Sequence, residues 1–491
     1  MTPTSVVDQS EAPPSPVPVK RWKPTSGAYA ALLLIMIPFV WMGIGREGVS
    51  PAVATAIGFA LCVLSGLAGV TQVSPAVTAM VLITLQGSRP SARFVQLISL
   101  LSPTVLLMAV FPLIVGLLGS SEIGQTNTLM VVLAVSVTVP WISSSVTSPM
   151  YGPLGAISRE ETVPFFRRFC AVWPAMLAWS VLPILLFSVV VTLFLGWGIE
   201  ENIFYAIGVA ANVVFAQSLI PAQEVRRFGY VFAAWVCYAL TLLIAPQLWF
   251  LAPIAGVLPQ LFLIRRGLGG LRRPHRPETL SILRQLGYGF LQGSVLWADK
   301  FFLVMLYRGD VNIVMVYVAL IPVVIAQALY FGSQYDVLRK CMEGLRVMVD
   351  QSPCTQLQDG SIQLSRRVER SLETTVLIAA TSSLGLMLLA SSLGFDYTEE
   401  LLMLICAPVA MLCLTMITFQ LSQLQRYLES GLICGVHLLL VGAALMLAPP
   451  ALAYLLVIVV DVIAVWWGVR RSRAAFVDSA YQLFWKEAVK W

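Results

Sequence analysis

Residues 170–196 read CAVWPAMLAWSVLPILLFSVVVTLFLG, without one charged side chain. A run of that length matches the roughly 20 apolar residues an α-helix needs to cross the hydrocarbon core of a bilayer. In hydrocarbon each backbone amide must find its partner inside the segment, so a single apolar run crosses as a helix. Such runs recur along the chain. We place them at 28–45, 51–71, 96–119, 127–149, 170–196, 202–220, 229–246, 248–264, 286–306, 311–332, 374–394, 401–421, 430–447 and 450–468. Residues 74–88 are too short to span and read as an interfacial or re-entrant piece. Only 11% of the chain is charged, 58% is hydrophobic and the mean hydropathy is +0.83. Soluble domains carry about 25% charged residues. The expected fold class is an all-α polytopic membrane protein with about 14 transmembrane helices.

Charge placement sets the expected orientation. Basic residues gather on the cytoplasmic side of membrane proteins. With the N-terminus inside, beside Lys20, Arg21 and Lys23, only Arg46 and Arg308 of the loop lysines and arginines fall outside. The outer loops then hold Glu47, Glu122, Glu200, Glu201, Asp310, Asp396, Glu399 and Glu400. Both termini are expected in the cytoplasm and the protein in the plasma membrane.

The expected organisation follows from loop lengths. Residues 1–27, rich in Pro and Ser, read as a disordered cytoplasmic tail rather than a cleaved signal peptide. Residues 28–88 hold two extra helices and the short segment. Residues 96–264 form an N-lobe of six helices, 265–285 a basic cytoplasmic linker, and 286–468 a C-lobe of six helices with a cytoplasmic loop at 333–373. Residues 469–491 form a cytoplasmic tail. The matching counts and the inner loop after each lobe's second helix suggest two lobes of one topology, related by an axis along the membrane normal.

Little here points to an enzyme. The chain has two histidines, His275 and His437, and eight cysteines without zinc or disulfide spacing. It has no HExxH, GxSxG, Walker or GxGxxG motif. No cofactor and no metal are expected. The chemistry sits in segment 286–306, where FLQGSVLWADKFFLVML carries Asp299 and Lys300 among apolar residues. A charge in hydrocarbon is costly and faces a partner, a bundle interior or a water-filled cavity. On a helical projection Tyr288, Gln292 and Asp299 fall within roughly 40° of one another, while Gly289, Gly293 and Lys300 form a second stripe. Gly289-x-x-x-Gly293 suits close approach of another helix. Asp299 and Lys300 point about 100° apart and are expected to pair with other residues. Lining of a path and structural pairing are both open for them.

Asp461, in YLLVIVVDVIAVWW, is a second membrane acid and, with Asp299, a candidate for carrying a coupling proton or cation. His437 reads as a satisfied core histidine. Pro140, Pro174, Pro183, Pro322 and Pro408 fall inside helices, and Pro322 with Gln327 and Tyr330 makes segment 311–332 a candidate gate.

Trp297-x-Asp299-Lys300 followed by aromatics, at the start of the second lobe, resembles the PelG-like exopolysaccharide transporters. More broadly it resembles the multidrug/oligosaccharidyl-lipid/polysaccharide superfamily of flippases. VSVTVPWISSSVTSPMYGPL and ALYFGSQYDVLRKCMEGL agree with that pattern, and the resemblance covers about residues 96–491. The family's usual N-terminal start is absent. The resemblance implies movement of a polysaccharide or lipid-linked glycan to the exterior by alternating access. It implies a path through the second lobe at Asp299 and Lys300, with Trp297 and Tyr288 against sugar rings. It also implies a cytoplasmic glycosyltransferase and other membrane assembly subunits as partners. Three other readings compete: a membrane glycan synthase or polymerase, a small-molecule or drug exporter of the same superfamily, and a scaffold of an envelope-synthesis complex.

Overall fold

The computed structural model describes residues 113–155, 161–275, 278–308, 313–351, 353–392 and 399–479, with residue 481 and a few residues between 102 and 111. The expected tail 1–27, the segments within 28–88 and residues 482–491 lie outside the described residues.

The described chain is helical almost throughout. Its helices are α1 (Thr128–Gly155), α2 (Thr162–Leu195), α3 (Ile199–Glu224), α4 (Phe228–Ile244), α5 (Ala252–Ile264), α6 (Thr279–Tyr307), α7 (Ile313–Leu329), α8 (Tyr335–Gln351), α9 (Cys354–Ser392), α10 (Glu399–Gln423), α11 (Tyr427–Leu447) and α12 (Pro450–Val477). Short 3-10 turns, Pro246–Leu251 and Arg265–Arg272, flank α5, and a π-turn, Tyr330–Gln334, joins α7 to α8. Strands β1 (Glu122–Ile123) and β2 (Thr126–Asn127) form a small antiparallel clip before α1, with Gly124 at φ +61°.

Among the described residues, eight helical stretches are long and apolar enough to cross a membrane. α2 shows why a bilayer suits them. Its Leu182, Leu185, Leu186, Val189 and Leu193 are exposed, while Phe165, Phe169, Ser180 and Phe187 face inward. A contiguous leucine surface of that kind is untenable in water and natural in lipid. The chain is thus an all-α, multi-pass membrane-type protein.

α1 to α5 pack on one another through the pairs α1–α3, α1–α2, α3–α5 and α4–α5. α6, α7 and α9 to α12 do likewise, chiefly through α10–α12, α6–α11 and α7–α9. Between the sets the largest contact is α1 against α6. Within segment 333–373 lie the helix α8 and the first half of α9, and α12 runs on to Val477.

Two turns are near copies of one another. After α3, Arg226 adopts φ +57°, its N–H donates to Gln223 and that of Arg227 to Ala222. After α10, Gln425 adopts φ +61°, its N–H donates to Ser422 and that of Arg426 to Leu421. Both are Schellman closures, with a 6→1 and a 5→2 bond, and in each the next helix starts at once. An arginine precedes each new helix, followed by Phe228 in one case and Tyr427 in the other.

Candidate functional site: a buried charged cluster

α6 is held from both sides. The small-residue stripe read from the sequence meets α1: a Cβ added at Gly289 would strike the Ser144 backbone, and one at Gly293 the Trp141 carbonyl. The close approach lets Ser145 Oγ donate to the Leu286 carbonyl at 2.8 Å and Trp141 Nε1 to the Phe290 carbonyl at 2.9 Å. Trp141 also packs edge-on to Phe301 and Phe187. Ser145, in the polar run 143–148 of α1, thus bonds a neighbouring helix.

Further along α6, Asp299 and Lys300 are each only 1% exposed. They pair with each other, Lys300 Nζ lying 2.8 Å from Asp299 Oδ2. This corrects the expectation that two adjacent residues would find separate partners. The lysine stem is long enough to turn its ammonium back along the helix, and a bare charge in a dry interior outweighs the 100° offset. Tyr454 on α12 donates its hydroxyl to the same oxygen at 3.0 Å. Met411 Sδ on α10 lies 3.9 Å from Lys300 Nζ.

Asp461 does not meet Lys300. Its Oδ1 lies 2.7 Å from Nδ1 of His437 on α11, both side chains 1% exposed. Either a neutral Nδ1–H or an imidazolium satisfies that geometry. Asp299 and Asp461 are near enough to act on one another electrostatically. With Tyr454, the five groups thus form one cluster on α6, α11 and α12, with α10 beside it. Three of its atoms have no hydrogen-bond partner: Asp299 Oδ1, Asp461 Oδ2 and His437 Nε2. Buried polar atoms are nearly always satisfied, so three orphans together mark a place with unused capacity for a proton, a cation or a hydroxyl.

The remaining candidates are scattered around this centre. Tyr288 is half-buried, its hydroxyl 2.9 Å from Ser430 Oγ and 3.2 Å from the Thr418 carbonyl. Its ring meets Tyr427 edge-on. Gln292 and Gln327 are half-buried. Trp297 is half-buried against the core. Tyr330 is buried, edge-on to Phe331 and Phe419 at the π-turn that follows α7. Only Asp299, Lys300 and Asp461 of the sequence candidates come into the charged cluster.

Tyr454 is the member that sequence reasoning missed, and His437, read as a satisfied core histidine, is buried and paired at Nδ1 but not at Nε2. Their signal was nonetheless present. α11 and α12 are joined by Ala448 and Pro449 alone, so they run antiparallel. His437 lies ten residues before Leu447, the end of α11, and Asp461 eleven after Pro450, the start of α12. Equal distance from a tight turn puts both at one depth. Tyr454 precedes Asp461 by seven residues, two turns along one face. No family model, no curated protein and no solved structure matches this chain.

Proposed function

We propose that this protein is a membrane transporter, not an enzyme, that exports a polysaccharide or flips a lipid-linked glycan from cytoplasm to exterior. Residues 96–264 and 286–468 act as two six-helix lobes in alternating access, linked by 265–285. The protein lies in the plasma membrane with both termini inside, beside a cytoplasmic glycosyltransferase and other assembly subunits. The observation that carries transport is the Asp299–Lys300–Tyr454 and Asp461–His437 cluster, buried inside one helical set with three unsatisfied atoms. Ionisable groups at membrane depth are functional candidates by default. Asp299 and Asp461 are the coupling candidates, and Tyr288, Gln292, Trp297, Gln327 and Tyr330 border the path.

Two lobes of one topology are supported by the paired Schellman turns. They fall between the fourth and fifth helices of one set and between the fourth and fifth of the other, counting segment 96–119 as the first. The glycan itself rests on the Trp297-x-Asp299-Lys300 resemblance. The test is a deletion strain in which surface polysaccharide and intracellular glycan are quantified together, complemented with wild type and with Asp299→Asn. Loss of surface polymer with accumulation of intracellular or lipid-linked glycan, unrepaired by Asp299→Asn and likewise by the charge-neutral D299N/K300M at normal expression, is the expected result. Unchanged surface polymer would sink the glycan reading. Loss of both pools would move the protein into synthesis.

A further inference from the structure

A second feature lies away from the charged cluster. The 3-10 segment Arg265–Arg272 does not trail off α5 as a loose linker but lies as a strap along the start of α2. Two glycines let it sit that close. A Cβ added at Gly267 would strike Phe166, and one at Gly270 the Arg167 carbonyl. The far end is pinned where the His275 N–H donates to the Ala171 carbonyl at 2.8 Å. The packing brings two basic runs together: Arg167 and Arg168 on α2, and Arg265, Arg266, Arg272 and Arg273 on or beside the strap. All but the half-buried Arg168 are exposed. Among the described residues none of the six forms an ion pair.

Gathering six unpaired arginines on a rigid backbone costs electrostatic energy that an anion would return. The level of the patch identifies the anion's source. α5 presents Ile254, Leu258 and Phe262 outward, and the Arg265 guanidinium stacks 4.2 Å over the Phe262 ring. The arginines therefore begin where the lipid-facing apolar surface ends, at headgroup height. A soluble phosphate or an acidic protein would not require that alignment.

We propose that the strap and the start of α2 form a binding site for the headgroup of an anionic phospholipid in the inner leaflet. Guanidinium forks from the two segments clamp its phosphate. The site is separate from the buried cluster and does not depend on the transported substrate. Each basic side chain held near an anionic surface is worth about fivefold in binding.

The full-length protein is reconstituted in nanodiscs of equimolar phosphatidylglycerol and phosphatidylcholine, released into mild detergent, and its retained lipids counted by native mass spectrometry. Wild type is expected to retain phosphatidylglycerol at least about fivefold over phosphatidylcholine. R265Q/R266Q/R272Q/R273Q is expected to lose that preference. R470Q/R471Q, which removes two arginines elsewhere on the inner rim, is expected to keep it. Arg167→Gln with Arg168→Gln reads the same site from α2 should the fourfold variant not fold, as checked by circular dichroism. Equal retention of the two lipids by wild type overturns the proposal. So does an equal loss in R470Q/R471Q, which would reduce the effect to general inner charge. Displacement by inorganic phosphate alone overturns the lipid assignment in favour of a free anion.

Discussion

Asp299 and Lys300 test how far a buried charge is structural. Each neutralises the other, and Tyr454 fills one further lone pair of Asp299. Removing one partner strands the other charge at 1% exposure, which costs about 3–5 kcal/mol, whereas removing both leaves a neutral interior. Asp299→Asn and Lys300→Met are therefore each expected to be strongly destabilising. The double variant D299N/K300M is expected to recover most of that loss. Thermal or chemical unfolding in detergent checks this, and simple additivity of the two losses would show that the pair is not coupled. The double variant also separates fold from function: a stable D299N/K300M protein that fails to restore surface polymer places the chemistry in the charges themselves. His437 extends the lesson. It looked like a core histidine because its own segment is apolar, and its partner Asp461 is found only across the α11–α12 turn.

Among the elements, α6 makes the largest contact between the two sets of helices, against α1. Its glycine face binds α1 and its charged residues reach α10 and α12. Gly293→Leu would push a branched side chain into the Trp141 carbonyl and Ser144. Overpacking of that kind costs typically about 1–3 kcal/mol. We expect a lower unfolding temperature and a weakened bond from Trp141 Nε1 to the Phe290 carbonyl. Gly287, with open space around it, is the matched control, and Gly287→Leu is expected to leave the transition in place. Equal effects at the two positions would mean that close packing on α1 is not what the stripe is for.

At the scale of the whole molecule, the one-sided placement of basic residues predicts which ends of the helices lie inside. Glu122 lies in the clip before α1 and Arg272 at the end of the strap, at opposite ends of the helices between them. In a cysteine-free background, Glu122→Cys is expected to react with a membrane-impermeant maleimide in intact cells. Arg272→Cys is expected to react only after the membrane is opened. The reverse pattern would invert the proposed orientation and with it the proposed direction of transport.

Much of the helical scaffold was legible in the sequence, and the reason is local. Hydrocarbon demands uninterrupted apolar runs, so segments such as 170–196 and 430–447 announce themselves by composition, and the small residues Gly289 and Gly293 announce a close neighbour without naming it. What the sequence left open was every choice that depends on a second helix. It did not say that the neighbour is α1, that Lys300 folds back onto Asp299, or that segment 265–272 packs as a strap on the start of α2. The pairing of His437 with Asp461 was within reach, because a two-residue turn equalises depth on two antiparallel helices. The turn of Lys300 was not, because its direction is decided by the dielectric around it, which exists only once α10, α11 and α12 have closed over the cluster.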